Sequence, residues 1–206
     1  QGGNVIIPSF AVGRTQELLY FIREMKEQNL VKSVPNFTVV VDSPLAGEAT
    51  RIFSGDLHGY LDEEAIAALK GGALFQFPGL TITESSEESK ALNADPAPKV
   101  IISASGMCDA GRIRHHLKHN LWRPECAIVF VGYQAEGSLG RRLLNGVSTV
   151  KLFGEEIAVR AKIVRFHGLS SHADRDGLLR WIEAYNTRPR QVFVVHGDQE
   201  VTEVYS

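Results

Sequence analysis

The chain is poor in cysteine. Cys108 and Cys126 are its two. They make no CxxC pattern and no disulfide framework, which fits a reducing cytoplasm. No run is long or apolar enough to span a membrane, and no signal peptide is visible. Charge of one sign is also scarce. A net charge of −2 does not advertise a nucleic-acid binder, so any polyanion contact must come from a local basic surface. A glycine-rich phosphate loop is missing after the first strand-like run, because Ser9-Phe10-Ala11-Val12-Gly13-Arg14 does not supply one. That counts against a doubly wound enzyme acting on a small phosphorylated molecule. Internal repeats and low-complexity tracts are absent. There is no initiating Met, and Gln1-Gly2-Gly3 runs directly into Asn4-Val5-Ile6-Ile7, as if cut from a longer protein.

What is present is core-forming material in steady alternation. With 206 residues, 44% of them hydrophobic, the chain can bury a substantial core as one domain or two small ones. Residues 5–8 are a short apolar run, and 14–28 place Leu18, Ile22 and Met25 on one helical face. Residues 37–42 form a β-branched run ending on Asp42, with a helix starting at Pro44. Helices are expected over 62–70, 85–94, 111–119 and 138–144, and strands over 99–105 and 127–132. The buried runs lack period-2 alternation, as expected of a parallel sheet covered on both faces. After Gly146 the texture changes. Residues 149–159 read as a hairpin turning at Gly154-Glu155. A strand over 161–166, a helix over 175–185 and a strand over 191–195 follow, with a last helix beginning after Asp198. A boundary at 146–148 divides the chain best.

Two histidines carry the chemistry. His196 follows Phe193-Val194-Val195 and precedes Gly197-Asp198. A neutral imidazole at a strand end is a common metal ligand, and it can equally cap a turn or bond a carbonyl. His172 follows Ser170-Ser171 and precedes a helix start. That setting offers hydroxyls and backbone N–H groups to a phosphate and leaves the His as a general acid or base. It also describes an exposed loop histidine with no such role.

The order of several segments is similar to one family. They are Val5-Ile6-Ile7-Pro8-Ser9-Phe10-Ala11-Val12-Gly13-Arg14-Thr15-Gln16-Glu17, Asp42-Ser43-Pro44-Leu45-Ala46, Ser103-Ala104-Ser105-Gly106-Met107 and Gly111-Arg112. Phe130-Val131-Gly132-Tyr133-Gln134, Ser171-His172-Ala173-Asp174 and Val195-His196-Gly197 complete the set. The ordered set resembles the β-CASP branch of the metallo-β-lactamase superfamily, which contains bacterial RNA-degrading nucleases.

The resemblance implies an α/β fold. Residues 1–147 would be a largely parallel sheet flanked by helices, the β-CASP domain. Residues 148–206 would be a C-terminal αβ portion of a metallo-β-lactamase αββα sandwich, the RNA-specificity segment. It implies a zinc-dependent ribonuclease hydrolysing RNA phosphodiester bonds with two zinc ions. His172 would be the general acid for the leaving oxygen, and His196 a zinc ligand of the kind RNA-processing members carry. Phe10 and Arg14 would line the path of the nucleic-acid backbone, and Gly168, Ser170 and Ser171 would cradle a phosphate. The family's other zinc ligands lie in a His-x-His-x-Asp-His motif and two later residues, all upstream of this sequence, which contains no H-x-H and no D-H pair. An acid that orients the catalytic histidine also lies upstream in the family. The implied partners are RNA, single-stranded, and a missing N-terminal metallo-β-lactamase domain, with no membrane and a homodimer left open. One ligand cannot hold zinc, so the fragment is expected to be inactive alone. The alternative is an RNA-binding or specificity module without catalysis.

Some residues fall outside this scheme. His115 and His119 are i,i+4 on a helix, a spacing that can chelate zinc, although His116 stands where H-E-x-x-H has its Glu. The more ordinary reading of residues 112–119, with Arg114 and Lys118, is a basic helix face. Arg141-Arg142 could meet phosphates or be a surface charge pair. Asp42 is expected to be structural, and Cys108 a small buried residue.

Overall fold

Caps and β-branched runs set the elements. A computed structural model describes residues 2–55, 59–70, 74–170, 172–195, 197 and 199–205. The chain forms two compact units, Gln1–Phe166 and His167–Ser206.

In the first unit the elements run β1 (Val5–Pro8), α1 (Arg14–Glu27), β2 (Thr38–Asp42), α2 (Pro44–Phe53), α3 (Glu63–Lys70), β3 (Leu80–Ile82), α4 (Ser86–Ala94) and β4 (Lys99–Ser103). Then come α5 (Ile113–Asn120), β5 (Ala127–Phe130), α6 (Leu139–Leu144), β6 (Thr149–Leu152), β7 (Glu155–Ala158) and β8 (Lys162–Arg165). Helix starts follow the sequence signals. Ser43 caps α2 by accepting from the Ala46 N–H, with Pro44 at the first helical position. Ser85 and Glu88 cap α4 reciprocally, the Ser85 N–H donating to Glu88 Oε2 at 2.8 Å. On α1 the buried stripe includes Thr15, Leu18, Leu19 and Ile22. Met25, expected on that face, is exposed, because the stripe ends a turn before the helix does.

Six strands pair in the order β3-β2-β4-β1-β5-β8, all parallel. Ile6, Ile101 and Ile128, in register across β4, β1 and β5, share a buried cluster with Ile113 and Leu117 of α5 and with Leu121 at its end. The chain leaves β1 for β2 past β4, and leaves β4 for β5 past β1. Two right-handed crossovers running opposite ways lie on opposite faces. They diverge from neighbouring strands, so the carboxyl ends of β1 and β4 frame a switch point, where open α/β sheets hold ligands.

The strand expected over 161–166 forms as β8 and pairs with β5, with Ala127 opposite Lys162 and Phe130 opposite Arg165. Two expectations need correction. The hairpin β6–β7 turns at Phe153-Gly154, one residue earlier than expected, since Leu152 pairs with Glu155. Both turn residues have positive φ, 51° and 84°, the requirement of a tight hairpin turn. The ring of Phe153 stacks on His115 at 4.3 Å, a contact that the sequence pattern does not carry. Second, 191–195 is not a strand. Those residues are exposed and pair with no strand among the described residues, and a strand without a ladder partner does not persist in water. Beyond expectation is β3, a three-residue strand at the edge of the sheet, too short to show a pattern.

The second unit holds α7 (Arg175–Glu183) and α8 (Gln199–Tyr205). Asp174 caps α7 by accepting from the Gly177 N–H at 2.8 Å. No described residue of α7 is buried.

Candidate functional site

The loops beyond the carboxyl ends of β1, β4 and β5 meet at the switch point. After β1, the Ser9 N–H extends the ladder to the Ser103 carbonyl at 3.0 Å. Thr15 Oγ1 then donates to the Phe10 carbonyl at 2.7 Å and fixes the turn into α1. The Phe10 ring is 49% exposed. It lies against Gly106, where a Cβ would stand 3.1 Å from ring atoms, so glycine is what admits the ring. Arg14 is largely covered, and its Nη1 donates to Glu17 Oε2 at 2.5 Å.

After β4, residues 104–112 fold back on themselves and onto α6. Asp109 Oδ1 accepts from the Leu139 N–H at 2.9 Å, and the Met107 carbonyl accepts from Gly140 at 3.0 Å. After β5, the buried Gln134 donates from Nε2 to the carbonyls of Gly106 at 2.9 Å and Tyr133 at 3.0 Å. Arg141 of α6 lies 5.6 Å from the Tyr133 ring centroid.

Beneath this edge, at the end of β2, Asp42 is fully buried. Its Oδ1 accepts from Thr83 at 2.5 Å and from Arg112 Nη1 at 2.8 Å. Its Oδ2 accepts from Ser89 at 2.6 Å and faces His116 Nε2 at 2.5 Å. The other ring nitrogen of His116 faces Asn93 Oδ1 at 2.9 Å. Burial pushes the Asp42 carboxyl up. Hydrogen bonds from His116, Ser89, Thr83 and Arg112 outweigh it and hold the carboxyl well below the usual carboxylate range. The cluster ties β2, α4, α5 and the segment after β3 together around a carboxylate that does not reach solvent. Asp42 is thus a structural anchor.

The histidines on α5 divide differently from the sequence expectation. His115 packs on Phe153, and burial followed by nearby positive charge lowers its pKa. Burial also lowers the pKa of His119. The residue that matters is His116 between them, fully buried. The signal for it is the helical stripe Ile113, His116, Leu117 and Asn120, all buried. Cys108 is buried, and burial pushes its thiol up, away from the reactive thiolate. Arg142 is exposed at the surface of α6.

In the second unit Gly168, Ser170 and His172 lie close along one exposed loop, and the His172 N–H donates to Ser170 Oγ at 3.3 Å. Ser171 and His196 fall outside the described residues. Among the described residues no three His, Cys, Asp or Glu side chains are placed to share a metal ion. Zinc takes three or four protein ligands, so the described donors do not fit zinc.

A family model described as the Beta-Casp domain matches residues 15–143. The chain belongs to the β-CASP family. In this β-CASP chain a second model, described as a Zn-dependent metallo-hydrolase RNA specificity domain, matches residues 156–206. Similar curated proteins include Ribonuclease TTHA0252 of Thermus thermophilus, 40% identical over 200 residues, covering 97% of this chain and 44% of the relative. The RNase J-like protein of Methanocaldococcus jannaschii is 32% identical, with 96% of this chain and 44% of the relative covered. The transcription termination factor FttA of Methanosarcina mazei is 31% identical, with 97% and 32% covered. The β-CASP chain therefore spans less than half the length of these relatives. They and the two domains mark it as kin to metallo-β-lactamase-family RNA nucleases.

Proposed function

We propose that this chain is part of a zinc-dependent ribonuclease that hydrolyses phosphodiester bonds of single-stranded RNA in the cytoplasm. One observation carries the reading: the carboxyl edge of the parallel sheet is an open switch point with the Phe10 ring at its rim. Kinship with a ribonuclease and a match to an RNA specificity domain support RNA as its occupant.

Within the reading, His172 protonates the leaving oxygen, a contribution of about 10²–10⁴-fold. Gly168, Ser170 and Ser171 receive the phosphate, and Phe10 and Arg14 flank the backbone. His196 is one zinc ligand, and the others belong to a metallo-β-lactamase domain outside this chain. The functional division is proposed near residue 147, between the two matched stretches, although β6, β7 and β8 fall in the first compact unit. The chain alone binds RNA without cleaving it. The second reading is an RNA-binding or specificity module without catalysis, supported by the match of residues 156–206 to an RNA specificity domain.

Labelled single-stranded RNA titrated at stepped salt tests the RNA reading. Affinity that falls linearly with log salt on a log scale is the expected result. Absent or salt-independent binding would remove it.

A further inference from the structure

The loop after β5 contains an exposed aromatic that the reading above leaves without a role. Tyr133 is 50% exposed, with the Arg141 guanidinium close enough for a cation–π contact. β1 and β5 are neighbours, so their carboxyl ends emerge about 5 Å apart. Phe10 follows the first end and Tyr133 the second. Two half-exposed rings therefore sit on the loops that follow neighbouring strands.

Their placement is built. Gln134 is buried, and its one amide nitrogen holds both the Gly106 and the Tyr133 carbonyls. Gly106 lies under the Phe10 ring. Gly140 makes room for Gln134, since a Cβ there would stand 1.7 Å from Gln134 Oε1. A buried glutamine between two glycines thus locks the loop of one ring to the seat of the other.

We propose that Tyr133, backed by Arg141, stacks an unpaired RNA base beside Phe10. The proposal rests on the RNA reading and deepens it. Every base has a π-face, so stacking tolerates any sequence, and the guanidinium adds attraction to the backbone. Duplex bases are already stacked and do not offer their faces. The substrate class is therefore single-stranded RNA with splayed bases, in preference to duplex RNA.

The test titrates the chain with a fluorescent single-stranded oligoadenylate RNA and with an abasic ribose-phosphate strand of equal length. Tyr133→Ala should weaken binding of the oligoadenylate on the order of tenfold, roughly the loss of one stacked base, and leave abasic binding unchanged. Tyr133→Trp should restore it. Circular dichroism checks folding, and Tyr133→Leu replaces the alanine variant if that one unfolds. Equal affinity of folded Tyr133→Ala and wild type for oligoadenylate would overturn the proposal, as would equal loss on both strands. Preference for an aromatic-rich peptide over RNA would do the same. If the wild type binds neither strand, the RNA reading itself falls and the platform falls with it.

Discussion

His116 Nε2 lies 2.5 Å from Asp42 Oδ2, and neither side chain reaches solvent. Arg112 reaches the other carboxylate oxygen and also donates to the Glu84 carbonyl at 3.0 Å. One carboxylate at the end of β2 therefore ties down the segments that shape the sheet's carboxyl edge.

Removing that carboxylate should be costly. Asp42→Ala leaves Arg112 and His116 facing an uncompensated hole, and breaking a buried pair by deleting one partner costs about 3–5 kcal/mol. Urea denaturation followed by circular dichroism checks this. A loss under about 1 kcal/mol would show that the cluster relaxes freely.

Acid should act through the same group. The Asp42 carboxyl in the folded protein lies below its ordinary value of 3.8. A depressed carboxylate contributes stability that is present above the unfolded pKa and is lost as pH falls toward the folded one. Stability should therefore hold above about pH 5 and decline from about pH 4 downward. Asp42→Asn should show a shallower acid slope. Denaturant midpoints measured between pH 2 and pH 7 read both.

Gly140→Ala should damage the edge from the side of α6. The added methyl would overlap Gln134 Oε1 and crowd the Phe130 ring, 3.0 Å away. Overpacking of this kind costs about 1–3 kcal/mol. Because Gln134 holds Gly106, loss of stability should be accompanied by weaker RNA binding in the fraction that remains folded. Unchanged stability and affinity would contradict the locking role of Gln134.

His172 and His196 should separate in the whole gene product. His172→Ala should lower turnover and leave metal content intact. His196→Ala should lower both. Turnover on labelled RNA and zinc content by elemental analysis decide it, and equal metal loss in the two variants would show that the roles are misassigned.

The elements that the sequence made legible are those whose cause is local. Ser43-Pro44 and Ser85 with Glu88 cap their helices as their residue types demand, and Val39, Val40 and Val41 read as a buried strand because they are one. The elements it hid depend on distant partners. β3 forms only against β2 at the edge of the sheet, and 191–195 lacks any partner strand among the described residues. The turn at Phe153 needed His115 to seat the ring. His116 stays silent in the sequence, since a lone histidine on a buried stripe declares itself only once Asp42 and Asn93 are brought to it across the fold.

The central claim is that this chain is one part of a metal-dependent ribonuclease. The most direct measurement is cleavage of uniformly labelled single-stranded RNA by the whole gene product and by the 206-residue chain, each with and without a zinc chelator. The account predicts cleavage by the whole product, its loss with chelator, and no cleavage by the chain alone. Chelator-sensitive cleavage by the chain alone, or no RNA cleavage by the whole product, would contradict it.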